Sequence, residues 1–149
     1  MSDKTTTKKS AGNRRKSREL ALKGLYQHLL SPKELRLIVR EMADEPDFTH
    51  ADEGYFRSLL EGVYAQLTEL DARITKFLDR AITELSPIEH AILLISAYEI
   101  IFDLSIPYRV AINEGVELAK LYGGTDGHKY VNGVLDKLAA EARPTEVTR

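Results

Sequence analysis

The chain has 149 residues, 43% of them apolar and 30% charged, which excludes a disordered chain and suits one domain around one core. It has no cysteine, which excludes disulfides and thiolate chemistry, and no apolar run near the roughly 18 residues that cross a bilayer; a soluble cytoplasmic protein without membrane contact is expected. The net charge of −2 hides an asymmetry: residues 1 to 23 carry +6 and the other 126 carry −8, a basic arm on an acidic body, and the common partner of such an arm is nucleic acid.

Residues 1 to 12 are polar, rich in Thr, Lys and Ser, and read as a disordered basic tail. Residues 13 to 144 read as one helical domain, and residues 145 to 149 as a C-terminal tail. The first helix is predicted from Asn13, a candidate N-cap, to about Leu30, with Leu22, Leu25, Tyr26 and Leu29 on one face. "SPKE" at 31 to 34 has the form of a capping box, Ser31 capping, Pro32 leading and Glu34 reaching back, and predicts a second helix through Met42. A polar loop, "ADEPDFTHADEG", precedes a third helix from about Asp52 to Leu67. A short fourth helix starts at Thr68 and points Leu70, Ile74, Phe77 and Leu78 inward. "SPIE" at 86 to 89 repeats the box and opens a fifth helix that is apolar on most sides, the pattern of a helix inside a core. The sixth runs from Pro107 to the Gly123-Gly124 stop, and the seventh from about Asp126 to Ala142, closed by Pro144. No stretch alternates like a strand. The expected fold is all-α, a bundle of about seven helices whose two "SPxE" starts mark two helical halves.

Chemistry of the enzymatic kind is missing from the pattern. His28, His50, His90 and His128 have no second ligand at metal-binding spacing, so neither metal nor other cofactor is expected. "GGTDGHKY" lacks the glycine spacing, the preceding strand and the Ser or Thr after Lys129 that a phosphate loop needs. Carboxylate pairs such as Asp71 with Asp79, or Glu84 with Glu89, are ordinary on helix faces and caps. The chain does not read as an enzyme.

Three stretches, "RRKSRELALKGLYQ", "YFRSLLEGV" and "IPYRVAINEGVELAKLYGGTDGHKYVNGVLDKLA", together resemble the NusB family of bacterial transcription antitermination factors. The resemblance covers about residues 13 to 144. It implies an all-helical RNA-binding fold. It also implies partners: the boxA element of nascent ribosomal RNA transcripts, the ribosomal protein NusE, and RNA polymerase carrying other Nus factors. A related helical module occurs fused to ribosomal RNA cytosine methyltransferases, which would need a catalytic domain downstream. The sequence stops at Arg149, so the free-standing factor is the preferred reading. An interaction or homodimerising domain with an incidental basic arm is the alternative.

RNA is read on single strands by stacking bases on aromatics while Lys and Arg hold phosphates. By resemblance, Arg14, Arg15, Lys16 and Arg18 form the arginine-rich start of helix one, with Arg14 and Arg18 sharing a face. Cations at a helix N-terminus oppose its dipole, and phosphate binding gives a reason for that placement. Tyr26 is either core or a stacking platform. Tyr130 stands where the family carries an aromatic near RNA, with Tyr in place of the commoner Phe. Lys129 would reinforce a phosphate there, and Asp126 is read first as an N-cap that the family places beside the RNA. Asn113, Glu114 and Asn132 fall in the same signature, and buried polar contacts between helices explain Asn113 and Asn132 about as well as RNA does. Glu89 is both a capping-box residue and, by resemblance, near the NusE surface.

Overall fold

A computed structural model describes the backbone of residues 2–148 and the side chains of residues 13–148. The tail expected over residues 1 to 12 lies outside the described side chains. Among the described residues there is no strand. The helices are α1 (Ser2–Leu30), α2 (Leu35–Ala43), α3 (Glu53–Ala65), α4 (Leu67–Thr75), α5 (Pro87–Phe102), α6 (Tyr108–Tyr122), α7 (Gly127–Ala142) and α8 (Pro144–Val147), with 3-10 turns at Pro46–His50 and Ile82–Glu84. The all-α expectation holds. The chain divides into two compact units, residues 1–64 and 65–149.

In the first unit, α1 buries Leu20, Leu22 and Leu25, α2 buries Ile38 and Met42, and α3 buries Phe56, Leu59, Leu60 and Val63. A Cβ on Gly24 would come within 2.6 Å of the Ile38 side chain, so α1 and α2 approach too closely there for alanine without a shift. Asn13 does not cap α1. It lies inside that helix, and its carbonyl accepts from the Ser17 hydroxyl (2.9 Å) and the Asp52 amide (3.3 Å). The dipole argument for the arginines therefore does not apply, because α1 does not start at them. Asp52 is the cap of α3, its Oδ1 accepting from the Tyr55 amide at 3.0 Å. Part of the expected polar loop is the 3-10 turn Pro46–His50, pinned by Phe48 edge-on to Phe56 at 5.8 Å.

The two "SPxE" stretches fold differently. At 31 to 34 the helix begins only at Leu35, and Glu34 makes no side-chain cap bond. One of the groups that a capping box would use, the Ser31 amide, is taken by a neighbour, and the Lys33 backbone beside it is held too. The Ser31 amide donates to the Gln27 carbonyl (2.9 Å) and the Lys33 amide to His28 Nδ1 (3.1 Å), while the Lys33 carbonyl accepts from the Tyr64 hydroxyl (3.3 Å). At 86 to 89 the cap forms: Ser86 accepts from the Glu89 amide and Pro87 leads α5.

In the second unit α5 is buried from Ala91 to Ala97 and again at Glu99 and Ile100, as an apolar helix packed with α4, α6 and α7 must be. A Cβ on Gly115 would collide with the Ser96 hydroxyl, so a glycine sets how near α6 lies to α5. The C-terminal tail of the sequence reading contains α8, which clips two helix ends together. Arg143, 7% exposed, donates to the carbonyls of Glu99 (2.9 Å), Ile100 (2.9 Å) and Asp103 (3.0 Å) and to Glu146 (2.9 Å). Glu146 in turn accepts from the Tyr108 amide at 3.0 Å. The Glu99 and Asp103 carbonyls also accept from the Asp103 and Ile106 amides, so Arg143 adds a second donor to those two and serves the Ile100 carbonyl at the end of α5, while Glu146 satisfies an orphan amide at the start of α6.

Candidate nucleic-acid interface

The basic row of α1 is less open than its charge suggests. Arg14 places its guanidinium 4.4 Å from the Tyr55 ring centroid, and Arg18 places its own 5.4 Å from the same ring. The shared face expected of them is therefore real, but it is turned toward α3. Arg18 is only 5% exposed, because one helical turn further along α1 the chain has entered the core between Ser17 and Leu20. A phosphate does not reach a guanidinium at that depth, which removes Arg18 from the expected grip and gives it a packing role. Arg14 is half-buried and Arg15 exposed. Lys16 is held by Glu19 (3.1 Å) and Asp47 (3.2 Å). The Glu19 hydrogen bond raises the ammonium above its ordinary value; burial opposes this, and the Asp47 hydrogen bond adds to the rise.

Tyr26 settles on the exposed side. It is 37% exposed although it follows buried Leu25, so it is no core residue.

At the start of α7 a second cluster forms. Asp126 has φ 65°, a left-handed conformation that Asp tolerates, and it occupies the N-cap position without a side-chain cap bond. Its carboxylate instead pairs with Lys129 at 3.4 Å, both side chains being largely exposed. The N-cap expectation thus holds for position and fails for the hydrogen bond. The left-handed backbone turns the side chain away from the amides of the first turn. Tyr130 is half-buried, and its hydroxyl donates to Asp79 Oδ1 at 3.0 Å. Burial pushes that phenol above its ordinary value, and the Asp79 carboxylate adds to the rise. The Arg80 guanidinium lies 4.4 Å from the Tyr130 ring centroid, and Arg80 Nε binds Asp79 at 2.8 Å. Phe77, Asp79, Lys129, Tyr130 and Lys137 line a shallow depression of about 230 Å³ there. Sequence reasoning missed Asp79 and Arg80, since 50 residues separate Arg80 from Tyr130 and only folding brings them together.

Glu89 is half-buried and lies against the first turn of α7: its Oε2 is 2.6 Å from where a Cβ on Gly127 would stand. A carboxylate at a helix N-terminus is favourable, so Glu89 has a structural duty at α7 besides its place at the start of α5. Asn113 and Asn132 are exposed, not buried between helices. With Tyr108, Arg109 and Asp136 they edge a separate depression of about 280 Å³. Both lie on the outward faces of α6 and α7, each next to a buried residue, Ile112 and Val131. Among the described residues no group of three or more metal-ligating side chains occurs, and no helix is long and apolar enough to cross a membrane.

Residues 15–140 match the model of the NusB family. A transcription antitermination protein NusB of Methylobacillus flagellatus is 68% identical over 141 residues, covering 95% of this chain and 92% of that protein. The crystal structure of T. maritima NusB superposes with a TM-score of 0.79 at 30% identity, over 91% of this chain and 97% of that one. A crystal structure of the antitermination factors NusB and NusE in complex with dsRNA superposes with a TM-score of 0.80 at 26% identity, over 87% of this chain and 97% of that one.

Proposed function

The chain belongs to the NusB family, and on that premise we propose that it is a cytoplasmic transcription antitermination factor. It binds boxA RNA of nascent ribosomal transcripts together with NusE and joins other Nus factors on RNA polymerase. It acts by binding and not as an enzyme. The observation that carries the RNA reading is the α7 cluster: an aromatic ring at the surface, flanked by Lys129 and Arg80, over a shallow depression. Bases stack on such rings while neighbouring cations hold the backbone.

In this reading Arg14 and Arg15 supply phosphate contacts at one part of the molecule and Lys129 at another. Tyr26 and Tyr130 supply stacking, and Asp126 tempers the charge beside Lys129. Lys16 contributes once a phosphate outcompetes Glu19 and Asp47. Glu89, on the acidic second unit, is assigned to the NusE surface, where a basic ribosomal protein meets complementary charge.

Binding of a labelled boxA RNA against a scrambled control, with and without NusE at two salt concentrations, tests the proposal. Preference for boxA that sharpens with NusE is the expected result. Equal, salt-sensitive binding of both RNAs would contradict it and leave a helical interaction or homodimerising domain with an incidental basic arm.

A further inference from the structure

The Asp79–Arg80–Tyr130 cluster does more than support a ring. Three contacts close it on itself: Tyr130 hydroxyl to Asp79 at 3.0 Å, Arg80 Nε to Asp79 at 2.8 Å, and the Arg80 guanidinium over the Tyr130 ring at 4.4 Å. The Asp79 amide also points its hydrogen at the Tyr130 hydroxyl, 3.4 Å away. Asp79 and Arg80 are nevertheless exposed and sit in the connection between α4 and α5, outside any helix. A core or a helix cap has no need of this arrangement. Exposed ion pairs of this kind add little to stability, so stability does not explain three contacts converging on one aromatic ring.

Resting on the RNA-binding reading above, we infer that Arg80 is a further RNA-binding residue, a phosphate ligand kept beside Tyr130 by Asp79. A stacked nucleotide brings its base to the ring and its phosphate to the ring's edge. The base takes the ring face that the Arg80 guanidinium covers, so the guanidinium moves to the ring's edge and exchanges Asp79 for that phosphate, where its planar fork suits two phosphate oxygens. Asp79 then acts in two ways. It holds the guanidinium in position while the site is empty, which lowers the ordering cost of binding. It also competes with the incoming phosphate, so a lone phosphate gains little, whereas a nucleotide that also stacks gains both contacts. The low affinity of Asp79 for protons agrees with this: the Arg80 hydrogen bond, then that of Tyr130, holds its carboxyl below the usual range, so it is charged whenever RNA arrives. The hydroxyl that distinguishes Tyr130 from a phenylalanine acquires a purpose, since it fixes Asp79 relative to the ring.

The test is a salt titration of boxA RNA binding by the full chain and by Arg80→Ala, Arg80→Lys and Asp79→Asn, with melting temperatures recorded for each. Arg80→Ala is expected to lower the slope of log K against log salt by about one unit, as loss of one phosphate contact does, with an unchanged melting temperature. Arg80→Lys should keep the slope and lose affinity, because a point charge cannot lie flat on the ring. Asp79→Asn keeps an oxygen for the Tyr130 hydroxyl and drops the competing charge, so it should tighten binding. A full chain that binds boxA RNA normally, while Arg80→Ala retains both slope and affinity, would overturn the inference alone. Absence of binding by the unaltered chain would overturn the RNA reading and this inference with it.

Discussion

The two units of the molecule use their cations in opposite ways. The first holds the basic row that dominates the sequence, yet Arg18 is buried against Tyr55, Arg14 is half-buried over the same ring, and Lys16 is tied to two carboxylates. The second is acidic, yet Arg80 and Lys129, though paired with Asp79 and Asp126, stand exposed around Tyr130. Each unit also buries one arginine for structure, Arg18 in the first and Arg143 in the second. The lesson is that a count of basic residues does not report which of them are buried and which are open to solvent: Arg15, Arg80 and Lys129 are exposed, Arg18 is not.

The largest effect should come from the second unit's buried arginine. Arg143→Ala leaves the buried Ile100 carbonyl without its donor and strips a second donor from the Glu99 and Asp103 carbonyls, and should cost about 3 kcal/mol of stability, read as a lower urea midpoint. Arg18→Ala should cost about 2 kcal/mol through lost ring and stem packing, and should leave the RNA salt slope as it was. A reduced slope with full stability would return Arg18 to the phosphate grip and erase the contrast between the units. Tyr130→Ala should weaken RNA binding by about 1–3 kcal/mol, the worth of one stacked base, with titration calorimetry as the readout. Arg14→Ala combined with Arg15→Ala should weaken binding broadly and reduce the salt slope by about one unit per lost phosphate contact.

The smallest effect concerns pH. Burial pushes the Tyr64 phenol up to about 12 in the folded chain, against an ordinary value of 10.0. The neutral phenol is thus favoured by folding. This contribution to stability is complete below pH 10, declines as the unfolded chain ionises first, and is gone above about pH 12. Tyr64→Phe should lack that alkaline decline, which urea midpoints at pH 9 and pH 11 would detect.

Much of the fold was legible in local signals. Apolar spacing located α2 to α7, Ser86 and Pro87 marked the start of α5, and the Gly123 stop is where α6 ends. The misreadings share one cause, a local rule overruled by a partner distant in sequence. "SPKE" has the letters of a capping box, but the Ser31 amide that Glu34 would bind already donates to the Gln27 carbonyl, and Tyr64 holds the Lys33 carbonyl from 31 residues away. Asn13 could cap a helix, but α1 is already under way there. Residues 145 to 149 read as a tail, since nothing in "TEVTR" announces that Glu146 will hold Arg143 and the amide of Tyr108, 38 residues back. The site was half legible. Tyr130 and Lys129 lie in a compact motif, whereas Arg80 and Asp79 join them only through tertiary packing, and Arg18 is removed from the basic row by burial that charge alone does not report.

The central claim is that RNA meets this chain at Tyr26 and Tyr130 and not at the buried end of the basic row. Photo-crosslinking of a boxA RNA carrying halogenated pyrimidines, followed by mass spectrometry of the joined peptides, tests it most directly. Crosslinks to the peptides containing Tyr130 and Tyr26 are the predicted result. Efficient crosslinking confined to other peptides, with both tyrosines unmodified, would contradict the account.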